Sequence, residues 1–139
     1  MSKRTHVAFG LLLASLLLRT DLMPFIPIVF LASVLPDLDL LLRDLPLIEH
    51  RKTFHNVWFL ILVYALAMRF SPRVSYLMAI GVLSHLMMDS LTKQGVMWLY
   101  PLSRSKLSGP FRTGGAFDNS MFLMLMLASM YVLVQGFLP

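Results

Sequence analysis

Two residues four apart in an apolar stretch, His85 and Asp89, are the first place in this sequence where chemistry could occur. In a helix this spacing puts both side chains on one face. The intervening Leu86, Met87 and Met88 make a solvated polar stripe unexpected there. Ionisable groups among apolar helical residues are costly unless paired or functional. A neutral imidazole beside a carboxylate is a natural donor set for a divalent cation. Three other positions carry the same residue types. His6 opens an apolar run directly after Thr5. Asp37 and Asp39 follow Pro36, and in extended backbone two carboxylates at that spacing point the same way. His50 and His55 flank Arg51 and Lys52. Five residues apart on a helix they stand roughly 140° off a common face. A turn after His50, with His55 capping the next helix, repairs the geometry. Arg51 is a candidate for binding a phosphate or a developing oxyanion, and Lys52 reads as an anchor at the membrane surface.

The elements that must position these side chains are hydrophobic helices. Of 139 residues, 58% are hydrophobic and 14% charged, and the mean hydropathy is +0.74. Soluble domains carry about a quarter charged residues, because their surface faces water. A chain this apolar is expected to be an all-α, polytopic membrane bundle, a single integral membrane domain spanning residues 1–139. Five apolar segments are read, over residues 6–18, 23–36, 56–70, 74–91 and 119–138. The first two are short against the roughly 20 residues that span a bilayer core. The Lys3-Arg4 start lacks a clear small-x-small cleavage site and is taken as the beginning of a retained helix.

Charge sets the expected orientation. With the N-terminus cytoplasmic, the inner side collects Lys3, Arg4, Arg43, Arg51, Lys52, Lys93, Arg104, Lys106 and Arg112, and the outer side only Arg19, Arg69 and Arg73. Lysine and arginine concentrate on the cytoplasmic side of membrane proteins. The same topology puts every histidine, and every acid except Asp21, at the inner face. The net charge of +5 therefore reads as membrane-flanking charge, with no nucleic acid as partner. The absence of cysteine excludes disulfides, thiolate nucleophiles and cysteine-ligated zinc.

Four motifs in this order resemble those of the YdjM-like group of membrane-bound metal-dependent hydrolases. They are Thr5-His6 with Phe9-Gly10; Leu35-Pro36-Asp37-Leu38-Asp39; His50-Arg51 with Phe54-His55; and Ser84-His85 with Asp89, Leu91-Thr92 and Gly95-Val96, running on to Tyr100-Pro101. The third is changed in detail, with Lys52 for a glycine, Thr53-Phe54 for x-Thr and Asn56 for a serine. Gly114 and Asp118 match a final Gly-x-x-x-Glu only weakly. The resemblance implies a metal cluster of His6, Asp37, Asp39, His50, His55, His85 and Asp89 in a multi-pass protein of the cell inner membrane. One or two zinc or manganese ions are the expected cofactor.

Together these readings predict a hydrolase acting at the cytoplasmic membrane face on a phospholipid or other amphiphilic phosphoester. Asp39 or Asp89 would take a proton from metal-bound water, and Arg51 would steady the phosphoryl or acyl oxygen. Membrane lipid is the expected environment and a candidate substrate. Two other function classes compete: a metal-ion transporter, and a non-catalytic membrane protein stabilised by its metal.

Overall fold

The computed structural model describes residues 1–42 and 51–137. Among these residues five α-helices form the bundle: α1 (Lys3–Leu18), α2 (Ile26–Val34), α3 (Val57–Met68), α4 (Pro72–Ser90) and α5 (Ala116–Phe137). Among the described residues the extended pairing consists of isolated bridges in the segment after α4. The five expected segments are the five helices, with the second altered at both ends. There, 3-10 turns over Arg19–Phe25 and Leu35–Leu40 lead into and out of α2. Pro24, Pro27 and Pro36 explain this, since each lacks an N–H and its ring disfavours α-geometry in the residue before it.

The interior is polar where a soluble core would be apolar. Fully buried residues include as many polar as apolar ones among those described, with Thr5, His6, Ser33, Asp39, His55, Ser84 and His85 all at 1% exposure or less. Large apolar side chains face outward instead, among them Leu123, Leu127 and Met130 on α5 and Phe30 and Leu31 on α2. Water would not tolerate an apolar surface that continuous, whereas lipid solvates it. Asp21–Leu40 and Ala116–Gly136 are each long and apolar enough to cross a membrane.

Small residues allow the helices to meet. α4 packs on α1, α2 and α3, and α1 packs on α2 and α5. A Cβ at Gly81 would overlap the Ala32 side chain and lie 2.9 Å from the Ser33 backbone nitrogen. A Cβ at Gly10 would overlap the Ser33 hydroxyl and lie 3.1 Å from that of Ser84. Where lipid supplies no hydrophobic drive for helix association, such close backbone approach supplies the packing. The crossing lies one to two turns along α1 and α4 from His6 and His85, and it fixes their separation.

Candidate metal centre

The candidate side chains reach the site from four parts of the chain. His6 lies in the first turns of α1, Asp37 and Asp39 on the 3-10 turn after α2, and Arg51 and His55 just before α3. His85 and Asp89 lie in the last two turns of α4. All come together at one end of the bundle, and the inward side chains are His6, Asp39, His55, His85 and Asp89, each at most 1% exposed. His50 lies outside the described residues.

Two histidines have their ring orientation fixed from behind. Nδ1 of His85 lies 2.8 Å from the Ser33 carbonyl oxygen, which can only accept, so this nitrogen carries the proton and donates. Nδ1 of His55 faces Asp39 Oδ2 at 3.1 Å, and the same oxygen accepts from the Arg51 backbone N–H at 3.0 Å. In the neutral rings both Nε2 atoms then present lone pairs, and these two nitrogens are 3.2 Å apart. Asp37 Oδ1 stands 3.8 Å from Nε2 of His55 and 3.7 Å from Nε2 of His85. Asp89 Oδ2 stands 3.7 and 3.8 Å from the same two nitrogens.

Four electron-rich atoms from three parts of the chain thus converge. A tetrahedral ion held at about 2.0–2.2 Å by nitrogen and oxygen has its ligand atoms about 3.3–3.6 Å apart. The five separations given, 3.2 to 3.8 Å, bracket that range. The residues therefore fit a divalent cation, and one orphaned buried atom points the same way. Asp89 Oδ2 accepts no well-aligned hydrogen bond among the described residues, although Nη1 of Arg51 lies 3.1 Å away. His6 forms a second, overlapping donor group with His85 and Asp89. Its ring stacks on that of His85 at 3.8 Å, and its Nε2 lies 3.3 Å from Asp89 Oδ1. Its buried Nδ1 makes no hydrogen bond among the described residues. The Met1 amino group donates to Asp89 Oδ1 at 2.7 Å.

Two local expectations are corrected. Asp37 and Asp39 do not share a direction, because Leu35–Leu40 is a 3-10 turn and not extended. They instead hold His55 from opposite sides, Asp39 at Nδ1 and Asp37 toward Nε2. The N-cap of α3 is Asn56 and not His55: the Asn56 side chain accepts from the Phe59 N–H at 2.9 Å and donates to the carbonyls of Lys52 and Thr53. Serine and asparagine are equivalent caps, so the exchange noted in the third motif preserves the local structure. Arg51, with φ of 64°, turns its guanidinium onto Asp89 Oδ2 and the Gly95 carbonyl.

Other contributors stand behind the cluster. The Ser33 carbonyl could not be found from residue type at all. Asp118 is buried away from the imidazoles, accepting from the Ser2 N–H at 2.9 Å, the Thr5 hydroxyl at 2.5 Å and the Gly114 N–H at 2.7 Å. It ties the start of α1 to the start of α5 and so supports His6 indirectly. The segment after α4 folds back under the site through paired bonds between Val96 and Leu107, both 2.9 Å. It is held by Trp98 Nε1 donating to Ser90 Oγ and by the Trp98 carbonyl accepting from the Val57 N–H.

In comparison with known proteins, the profile of the YdjM inner membrane protein family matches residues 1–138. Neither the curated proteins nor the solved structures contain a match.

Proposed function

The chain belongs to the YdjM inner membrane protein family, and from that premise we propose that it is a multi-pass, metal-dependent hydrolase whose site opens at the cytoplasmic face of the membrane. The observation that carries the reading is the pair of imidazole Nε2 atoms 3.2 Å apart, with Nδ1 of His85 donating to the Ser33 carbonyl and Nδ1 of His55 turned toward the Asp39 carboxylate. Two lone pairs flanked by two carboxylates repel one another unless a cation lies between them. His55, His85, Asp37 and Asp89 would hold the first ion, zinc or manganese, and His6 would serve a second ion or steady Asp89. When bound, such an ion lowers the pKa of a coordinated water toward 7 and polarises a phosphoryl or carbonyl oxygen.

The protein side chains supply the rest. Asp39 is a positioning residue: it is fully buried behind His55 and fixes that ring's tautomer. Asp37 keeps 15% of its side chain exposed, unlike its neighbours in the cluster. That exposure would let its carboxylate take a proton from an attacking water. Arg51 offsets the charge of Asp89 and presents its guanidinium beside the site, where a developing oxyanion would be stabilised. The cytoplasmic placement rests on the lysines and arginines clustered at this end of the bundle, and the amphiphilic phosphoester substrate on the apolar helices around it.

The test is elemental analysis of protein purified in detergent without added metal, followed by a phosphoester screen with zinc or manganese restored. About one or two ions per chain are expected, with hydrolysis lost in His85→Ala and in Asp37→Asn. Protein that is folded and metal-free after exposure to both ions would refute the metal centre. Metal uptake without hydrolysis would leave a structural ion, and ion flux into loaded vesicles would mark a transporter.

A further inference from the structure

A cavity of about 680 Å³ forms a groove between α1, α5 and the end of α2, lined by apolar side chains including Leu11, Phe30, Leu31 and Phe122. Three of its lining residues are charged: Lys3, Arg4 and Asp37. Asp37 is shared with the donor set of His55 and His85. It is also the cluster carboxylate that retains exposure, at 15%, while those of Asp39 and Asp89 are at 0 and 1%. The groove wall therefore includes a carboxylate through which the buried cluster meets the outside. Arg4 is held in place by a short hydrogen bond to the Asn119 side chain and lies 5.3 Å over the Phe122 ring.

The geometry points to this groove as the binding site of a single-phosphate amphiphile that enters sideways from the bilayer, its chain along α1 and α2 and its phosphate between Lys3, Arg4 and the cluster. This rests on the metal-centre reading for the role of the phosphate, and on the groove itself for binding. A bare apolar groove in lipid would need no explanation, since lipid chains solvate any such surface. Two cations at its mouth make it complementary to an anionic head on an apolar tail. From Lys3 to Leu11 the groove follows α1 for about 12 Å, at 1.5 Å per helical residue. That length suits a chain of about ten carbons. Lateral entry also explains why five of the six described His and Asp side chains of the cluster, all but Asp37, can be almost fully buried. The substrate need not cross the loop side to reach them.

The probe is decylphosphonate, whose carbon–phosphorus bond resists hydrolysis, added to the zinc-loaded protein in a neutral detergent and followed by native mass spectrometry. Decanol tests the chain without the head, and methylphosphonate the head without the chain. Retention of decylphosphonate at least tenfold tighter than either is expected. Leu31→Trp, which fills the groove at an exposed position, and the double variant Lys3→Gln/Arg4→Gln should each weaken it at least fivefold with zinc content unchanged. Equal retention of decylphosphonate and decanol would overturn the proposal, as would undiminished binding by both folded variants. Methylphosphonate binding as tightly as decylphosphonate would overturn it too, by reducing the site to one for free phosphate. Decylphosphonate held in the predicted way by a wild-type protein that takes up no zinc would refute the metal centre and leave the groove standing.

Discussion

Asp39→Asn offers the sharpest separation between a built metal centre and a cluster of buried polar groups. Asp39 acts on the Nδ1 side of His55 at 3.1 Å and on the Arg51 N–H at 3.0 Å. Asparagine keeps the shape, and its carbonyl oxygen can still accept both bonds. What is lost is the negative charge that makes the imidazole a stronger donor and fixes its tautomer. Outer-shell carboxylates of this kind are worth about 10–100-fold in metal affinity, or about 1.4–2.7 kcal/mol. His85→Ala removes a ligand atom outright and is expected to cost more than Asp39→Asn. The assay is competition for zinc against a chromophoric chelator in detergent, with helix content followed by circular dichroism. Asp39→Asn should stay folded and bind zinc 10–100-fold more weakly. Affinity within twofold of wild type, in protein whose His85→Ala counterpart also binds normally, would refute the assignment of these imidazoles as ligands. Complete unfolding of Asp39→Asn would instead show that the buried carboxylate sustains the fold, and Asp39→Glu would then be the variant to measure.

Further outcomes follow from the same geometry. Gly81→Leu places a side chain into the Ala32 and Ser33 backbone; a loss of about 1–3 kcal/mol, or failure to fold, is expected and is read as a lowered thermal midpoint in detergent. Asp118→Ala removes the acceptor shared by Ser2, Thr5 and Gly114. It should lower stability by about 1.5–3 kcal/mol while leaving the zinc stoichiometry of the folded fraction unchanged. Asn56→Ala loses the cap of α3 and should cost about 1 kcal/mol, whereas Asn56→Ser should recover most of it. Acidification should release zinc, because imidazole ligates only when neutral and each ligand that gains a proton leaves the ion. Affinity that rises as pH falls would contradict histidine ligation.

The sequence alone determined the fold class and most of the residues at the candidate site. Composition did so because an outward face of leucine, methionine and phenylalanine with a small, polar interior is stable only where lipid replaces water. The His85–Asp89 pair was legible because four residues return a helix to nearly the same face, and the structure brings those side chains to 3.8 Å. The arrangement of Asp37 and Asp39 was not legible. Their spacing has one meaning in extended backbone and another in a 3-10 turn, and the proline that selects the turn acts through its neighbours' backbone. Nor could the sequence distinguish ligand from support. That division depends on which ring nitrogen each histidine turns toward a partner, and the partners are a carbonyl 52 residues away for His85 and a carboxylate on a separate element for His55. Contacts of that kind exist only once Gly10 and Gly81 have let the helices close, so tertiary packing alone decided them.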